Sequence, residues 1–208
     1  MSIITLPTDV GVLRVEWGIK RFDLEHMGSD SGASQARLLA PPRWIASLIG
    51  PEHNTAAQAA AWRDFIFSLN GRVNQLALYD LGNTAPRGTM RGTLTFSASA
   101  SAGATSVSIT GGAGQAATTL LKGDWLGFGQ SGSSRQLVSV AADATANGSG
   151  VISLTLRQPL RYAVTSGDSV TWDKPTALFR QTTAESRWSH QASIRTGYSL
   201  DLIESWEA

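Results

Sequence analysis

The sequence predicts a mainly β protein: a β-rich body with one α-helix at about residues 55–70 and a small β-sandwich or barrel module inserted into it. Three observations carry this. Short segments of alternating apolar and polar residues recur along the chain. A single stretch has helical periodicity with both a start and a stop signal. Between residues 97 and 119 the composition turns almost wholly small and polar, and strand signals then resume in quick succession. The 208 residues suffice for one large β domain or two small ones with real cores.

Residues 11–25 read as a half-buried strand, with Arg14, Glu16, Gly18 and Lys20 on one parity and Leu13, Val15, Trp17 and Ile19 on the other. Residues 27–36 (MGSDSGASQA) read as a loop of small residues. A second strand follows, in which Trp44, Ala46 and Leu48 alternate with Ile45, Ser47 and Ile49 up to Gly50-Pro51. Thr55 and Gln58 then have the spacing of a capping box, in which each side chain satisfies a backbone N–H at the helix start. Trp62, Phe65, Ile66 and Leu69 fall on one helical stripe, and Gly71 stands where a C-terminal cap belongs. Residues 73–81 predict a strand leading into the Gly82-Asn83 turn. Residues 94–119 read as a boundary or a long hairpin. Further strands are expected at 120–128, 136–140, 151–156 and 169–172, separated by the turns 143–150 and 166–168. The segment 187–206, with Trp188, His190, Ala192 and Ile194 and then Leu200 and Leu202, reads as a strand pair. Residues 1–96 with 173–208 are therefore expected to form the body, and 97–172 the inserted module.

Composition narrows the chemistry. The formal net charge is +1 and no basic stripe is visible, so nucleic-acid binding has little support. Charged residues are 16% of the chain against about 25% in ordinary soluble domains, a surface suited to packing against copies of itself. There is no cysteine, which removes disulfides, thiolate metal sites and a cysteine nucleophile. The N-terminal stretch lacks the basic start and apolar core of a signal peptide, and no apolar run reaches the roughly 18 residues of a membrane span. The expectation is assembly in a cytoplasm without membrane insertion.

His26, His53 and His190 are isolated, and none has metal-ligand spacing. Asp124, Asp143 and Asp168 sit in Gly/Ser turns, where Asp bonds local backbone. Glu16 has the wrong parity to join Asp23 and Glu25 on one strand face, so the three do not converge. Gly111-Gly112-Ala113-Gly114 lacks the Lys-Ser/Thr of a phosphate loop, and Gly127-Phe128-Gly129 reads as a turn. The chain is expected to have no catalytic residue, metal or cofactor. Fourteen of its 17 basic residues are Arg, the cation enriched at interfaces. Arg87 and Arg91 flank one turn and Arg157 and Arg161 another, which makes these four the candidates for a subunit interface. Of seven Trp, Trp62 is expected in the core under the helix and Trp17, Trp44 and Trp172 in strand cores. Trp125 and Trp206 are the candidates for exposure, and Trp125 and Tyr162 are the candidates to stack on a glycan.

The stretch Trp62–Gly92, WRDFIFSLNGRVNQLALYDLGNTAPRGTMRG, resembles tail proteins of long-tailed bacteriophages and prophages, in which a helix ending in a Leu-x-Gly-Arg signature leads into Pro-x-Gly-Thr-x-Arg-Gly. Gly123-Asp124, Gln136–Val140, residues 147–161 (NGSGVISLTLRQPLR) and Gly167-Asp168-Ser169-Val170 follow in the order of a β module from phage tail tips. The closing WDKPTALFR and YSLDLIESW are similar as well. The resemblance implies a distal tail protein, a structural ring of the virion that is typically hexameric. Such a ring joins the tail tube protein to the tail-tip hub protein, and DNA passes through its lumen without specific binding. The resemblance implies an additional β module outside the ring that aids host attachment, and host-surface glycan is its expected partner if Trp125 and Tyr162 stack on sugar. A carbohydrate-binding module is the alternative, and a wall-degrading enzyme is disfavoured by the absent catalytic constellation.

Overall fold

The computed structural model describes residues 1–27, 33–52, 55–190 and 196–206. The chain is mainly β, 45% strand and 9% helical, as the sequence predicts. In chain order the first elements are β1 (Ile3–Thr5), β2 (Arg14–Met27), β3 (Ser34–Ile49), helix α1 (Ala56–Leu69) and β4 (Gln75–Tyr79). Then come β5 (Leu94–Phe96), β6 (Ser106–Thr110), β7 (Thr119–Leu120), β8 (Trp125–Phe128), β9 (Gln136–Ser139) and β10 (Ala144–Thr145). The last are β11 (Val151–Thr155), β12 (Ser169–Thr171), β13 (Thr176–Gln181), β14 (Trp188–His190) and β15 (Thr196–Glu204). The chain forms two compact units: residues 7–74 with 179–204, and residues 75–178 with 1–6 and 205–208.

In the first unit β2 pairs antiparallel with β3, β3 with β15, and β15 with both β14 and the 179–181 end of β13. One face of this sheet carries Trp44, Ala46, Leu48, Leu200 and Leu202, all buried. Helix α1 supplies Trp62, Phe65, Ile66 and Leu69 to the same core. Trp62 stacks on Tyr198 at 5.3 Å between ring centroids, and Trp17 meets Phe179 edge-on at 5.3 Å. The Glu204 carboxylate, buried in this unit, accepts from the Trp44 backbone N–H at 2.9 Å. Gly50 lies so close to the Trp62 indole that an added Cβ would meet the ring at 3.0 Å.

Helix α1 starts as its sequence predicts. Thr55 accepts from the Gln58 backbone N–H at 3.2 Å while the Gln58 side chain accepts from the Thr55 N–H at 3.0 Å. Its end differs by one residue: the left-handed C-cap is Asn70, at φ 47°, with Gly71 continuing at φ 62°. A short polar side chain tolerates that conformation, so Asn takes the role expected of glycine.

The larger correction concerns residues 27–36. Met27 closes β2, and Ser34, Gln35 and Ala36 open β3, paired with Met27, His26 and Glu25. Met27 and Ser34–Ala36 of the expected loop thus belong to the end of a long two-stranded ribbon, while residues 28–32 lie outside the described residues. Pro41 and Pro42, which usually exclude a central strand, lie in a bulge of β3 where Lys20 pairs with Arg43 and Phe22 with Ala40.

In the second unit six strands run in the order β11-β6-β5-β12-β8-β9. The edge strands approach each other beyond their ends: Val140 bridges Leu156, and the Arg157 N–H donates to Ser139 O at 2.9 Å. The sheet therefore curls into a small barrel around Leu94, Phe96, Ile109, Leu126, Phe128, Ile152 and Leu154. β7 and β10 form a two-stranded sheet, and Leu120 joins the barrel core. The small polar tract after residue 94 holds strands of this barrel, because Val107 and Ile109 point inward while Ser106, Ser108 and Thr110 alternate with them. Residues 94–96, expected with the body, pair with β6 and β12 instead. Gly127 and Phe128 belong to β8, with Phe128 in the core, and only Gly129 turns, at φ 61°. The same unit holds β4, parallel to β1, and the side chain of Gln75 donates to Ser205 Oγ at 2.8 Å.

Candidate interaction surfaces

The most unusual surface is the far end of the β2–β3 ribbon, where every described residue from Asp23 to Met27 and from Ala33 to Leu39 is exposed. Four large apolar side chains stand there in solvent: Leu24 at 60%, Met27 at 65%, Leu38 at 58% and Leu39 at 62% exposure. The pairing register sorts the ribbon into two faces, since directly opposed residues share a face. Asp23 opposes Leu38, Glu25 opposes Ala36 and Met27 opposes Ser34, so one face carries two carboxylates and an apolar pair, with Arg21 of the same parity nearer the root. On the other face Phe22 opposes Ala40, Leu24 opposes Arg37 and His26 opposes Gln35. Lys20 and Arg43 flank the Phe22 ring at 5.7 and 5.8 Å, so that face is basic. Glu16 lies on the basic side of β2, away from Asp23 and Glu25, in agreement with the parity in the sequence.

At the root of the ribbon the outer face of the sheet has a hollow of about 420 Å³ floored by Gly18, Ile45 and Ile203. Glu16, Ser47 and Asp201 form one transverse row beside it, with Ser47 Oγ donating to Asp201 Oδ1 at 2.8 Å.

The four arginines named from sequence divide by role. Arg91 is held within the chain: its guanidinium donates to the carbonyls of Pro86, Gly88 and Met90, each at 2.7 Å, and lies over the Trp172 ring at 5.0 Å. Trp172 in turn donates from Nε1 to Gly92 O at 2.8 Å. Arg87 donates to Lys122 O and stands 3.6 Å from the buried Asp124 carboxylate, with most of its side chain in water. Arg161 lies over the Trp206 ring at 3.9 Å. Arg157 is exposed just beyond β11.

Trp125 and Tyr162 are both half-buried. Tyr162 borders a hollow of about 250 Å³ with Ser131, Ser134, Asp168 and Ser169. Gln136 fixes that wall, accepting from the N–H groups of Arg161 and Tyr162 at 2.7 and 3.2 Å and donating to Tyr162 O at 3.1 Å. Trp125 begins β8 opposite Ser139. Trp206 is half-buried under Arg161.

His26 and His190 are exposed at strand ends, and His53, Ala192 and Ile194 lie outside the described residues. Among the described residues no three His, Asp or Glu side chains gather as a metal site, and no helix is long and apolar enough to cross a membrane. Arg135 is partly buried, and desolvation lowers its pKa from the usual arginine value while Nη1 donates to Thr176 Oγ1 at 2.8 Å.

The sequence reading missed the ribbon, although two alternating segments around a Gly/Ser-rich stretch are the ordinary signal of a hairpin. These surfaces define a β-rich chain of two compact units, one of which bears a bare two-stranded arm. Compared with protein-family models and with curated proteins, the chain matches none.

Proposed function

We propose that this chain is a structural subunit of a phage tail tip, assembling with copies of itself into a closed ring that joins tail tube to hub and continues the DNA channel. The arm carries this reading. A two-stranded ribbon is marginal in water on its own, and one with four large apolar side chains exposed calls for cover. Among the described residues β2 is also the edge of its unit's sheet, and an open edge of 14 residues is an aggregation hazard unless a partner meets it. A ring of identical subunits provides such cover, because each surface meets its complement on the next copy. The low charge fraction and the sequence resemblance agree with this.

The carbohydrate reading has one feature in its favour, the hollow beside Tyr162. An aromatic ring among three serine hydroxyls and a carboxylate suits a sugar. One experiment separates the two: light scattering of the purified protein across concentration, with negative-stain images of the same fractions. Closed rings at a fixed multiple of 22.0 kDa support the structural reading. A monomer at every concentration overturns self-assembly and leaves the carbohydrate site as the function to pursue.

A further inference from the structure

We infer that the arms themselves are the ring's coupling device: the acidic face of each β2–β3 arm seats on the basic face of the arm of the next copy. This rests on the ring reading and specifies its interface. Each arm carries both halves of the contact. One face presents Asp23 and Glu25 around Met27 and Leu38, and the opposite face presents Arg37 and Lys20 around Leu24 and Phe22. Among the described residues Asp23, Glu25 and Arg37 make no ion pair within the chain. Their charges are thus available to a neighbour.

The arrangement dictates the symmetry. Two arms meeting by like faces would set carboxylates against carboxylates or guanidinium against guanidinium, which is repulsive. Acid on base is the complementary stacking, and it leaves one acidic and one basic face open at the ends of any pair. The contact is therefore heterologous, and it repeats until rotation closes it. Apolar side chains on both faces fill the space between stacked ribbons, whose sheets pack about 10 Å apart. The charges set which face meets which, and burial of Leu24, Met27 and Leu38 supplies the affinity. The occupant is a second copy of this chain, since both complementary surfaces are on one arm.

The test uses four full-length proteins followed by sedimentation velocity: the natural chain, Asp23→Lys with Glu25→Lys, Lys20→Glu with Arg37→Glu, and all four substitutions together. Every changed side chain is exposed, so far-ultraviolet circular dichroism and melting temperature should stay unchanged. Each partial reversal should weaken association at least about tenfold, and the combined reversal should bring it back to within about threefold of the natural chain. Raising the salt to about 1 M should weaken the natural ring, because exposed pairs are then screened beyond about 3 Å. If rings form equally well in all four proteins, the arm contact is wrong and the ring stands on another surface, or the arm serves a different tail protein. If both partial reversals dissociate and the combined protein does too, the acid-on-base pairing is wrong. A natural chain that never associates overturns the ring reading and this inference with it.

Discussion

Asp124 shows what one carboxylate does for the barrel. It is buried and accepts three backbone N–H groups, from Arg87 at 2.9 Å, Gly88 at 3.0 Å and Leu121 at 2.8 Å. That gathers the Pro86–Arg91 turn against the β7–β8 turn. Gly88 is required there, because a Cβ would come within 2.2 Å of Thr119 O. An Asp beside glycine in a turn was legible as a backbone acceptor, and Asp143 and Asp168 act in the same way on Lys122 and Thr165. That Asp124 reaches the Pro86–Arg91 turn and Asp143 reaches Lys122 was not legible, since nothing in a local sequence marks a long-range partner. Replacing Asp124 with Asn turns one acceptor oxygen into a donor facing N–H groups. It should cost about 1–3 kcal/mol, the range for leaving a buried group unpaired. Asp143→Asn, which keeps an acceptor for its single exposed bond, should cost under about 0.5 kcal/mol. Urea denaturation midpoints of the two variants measure the difference, and equal midpoints would show that the three bonds to Asp124 do not hold the turn.

Elements were legible in proportion to how one-sided their burial is. Helix α1 has a capping box, a buried stripe and a left-handed end, and all three are local. The barrel strands alternate because one side faces a core and the other water, as in Ser106–Thr110. The arm has no such asymmetry: both faces are bare, so Ser34-Gln35-Ala36 looks like loop and Leu38-Leu39 breaks the alternation across a bulge. Pro41 and Pro42 argue against a strand unless the bulge is known in advance. None of the six interface and glycan candidates lies on that arm, since residue type drew attention to Arg and aromatic side chains and away from a stretch of mixed small residues. At this scale the capping box gives a sharp expectation. Thr55→Ala should destabilise the unit by about 1 kcal/mol, leaving the Gln58 N–H without its cap. Thr55→Ser should restore most of it, and thermal unfolding followed by helical circular dichroism distinguishes the two.

Across the whole molecule, the same features that favour assembly also make an unassembled chain vulnerable. A net charge of +1 provides little repulsion between copies, and a bare apolar arm invites contact. Defined assembly and indefinite aggregation then differ in one respect: the former saturates. If arms bury one another in a closed ring, association stabilises the folded chain by mass action, and its melting temperature must rise with protein concentration. Once the ring is closed, mass stays at a plateau while the melting temperature continues to climb slowly with concentration. Aggregation would give mass that grows without limit and melting that depends on scan rate. A chain with Leu24, Met27, Leu38 and Leu39 all changed to Ser keeps the body intact, since these side chains contribute little burial within the chain. It should remain at 22.0 kDa and melt at one temperature across a hundredfold range of concentration, about that of the natural chain at its most dilute. Calorimetry at three concentrations, with light scattering on the same samples, checks both parts. A natural chain whose melting is as flat as the variant's would show that nothing couples folding of the body to cover of the arm.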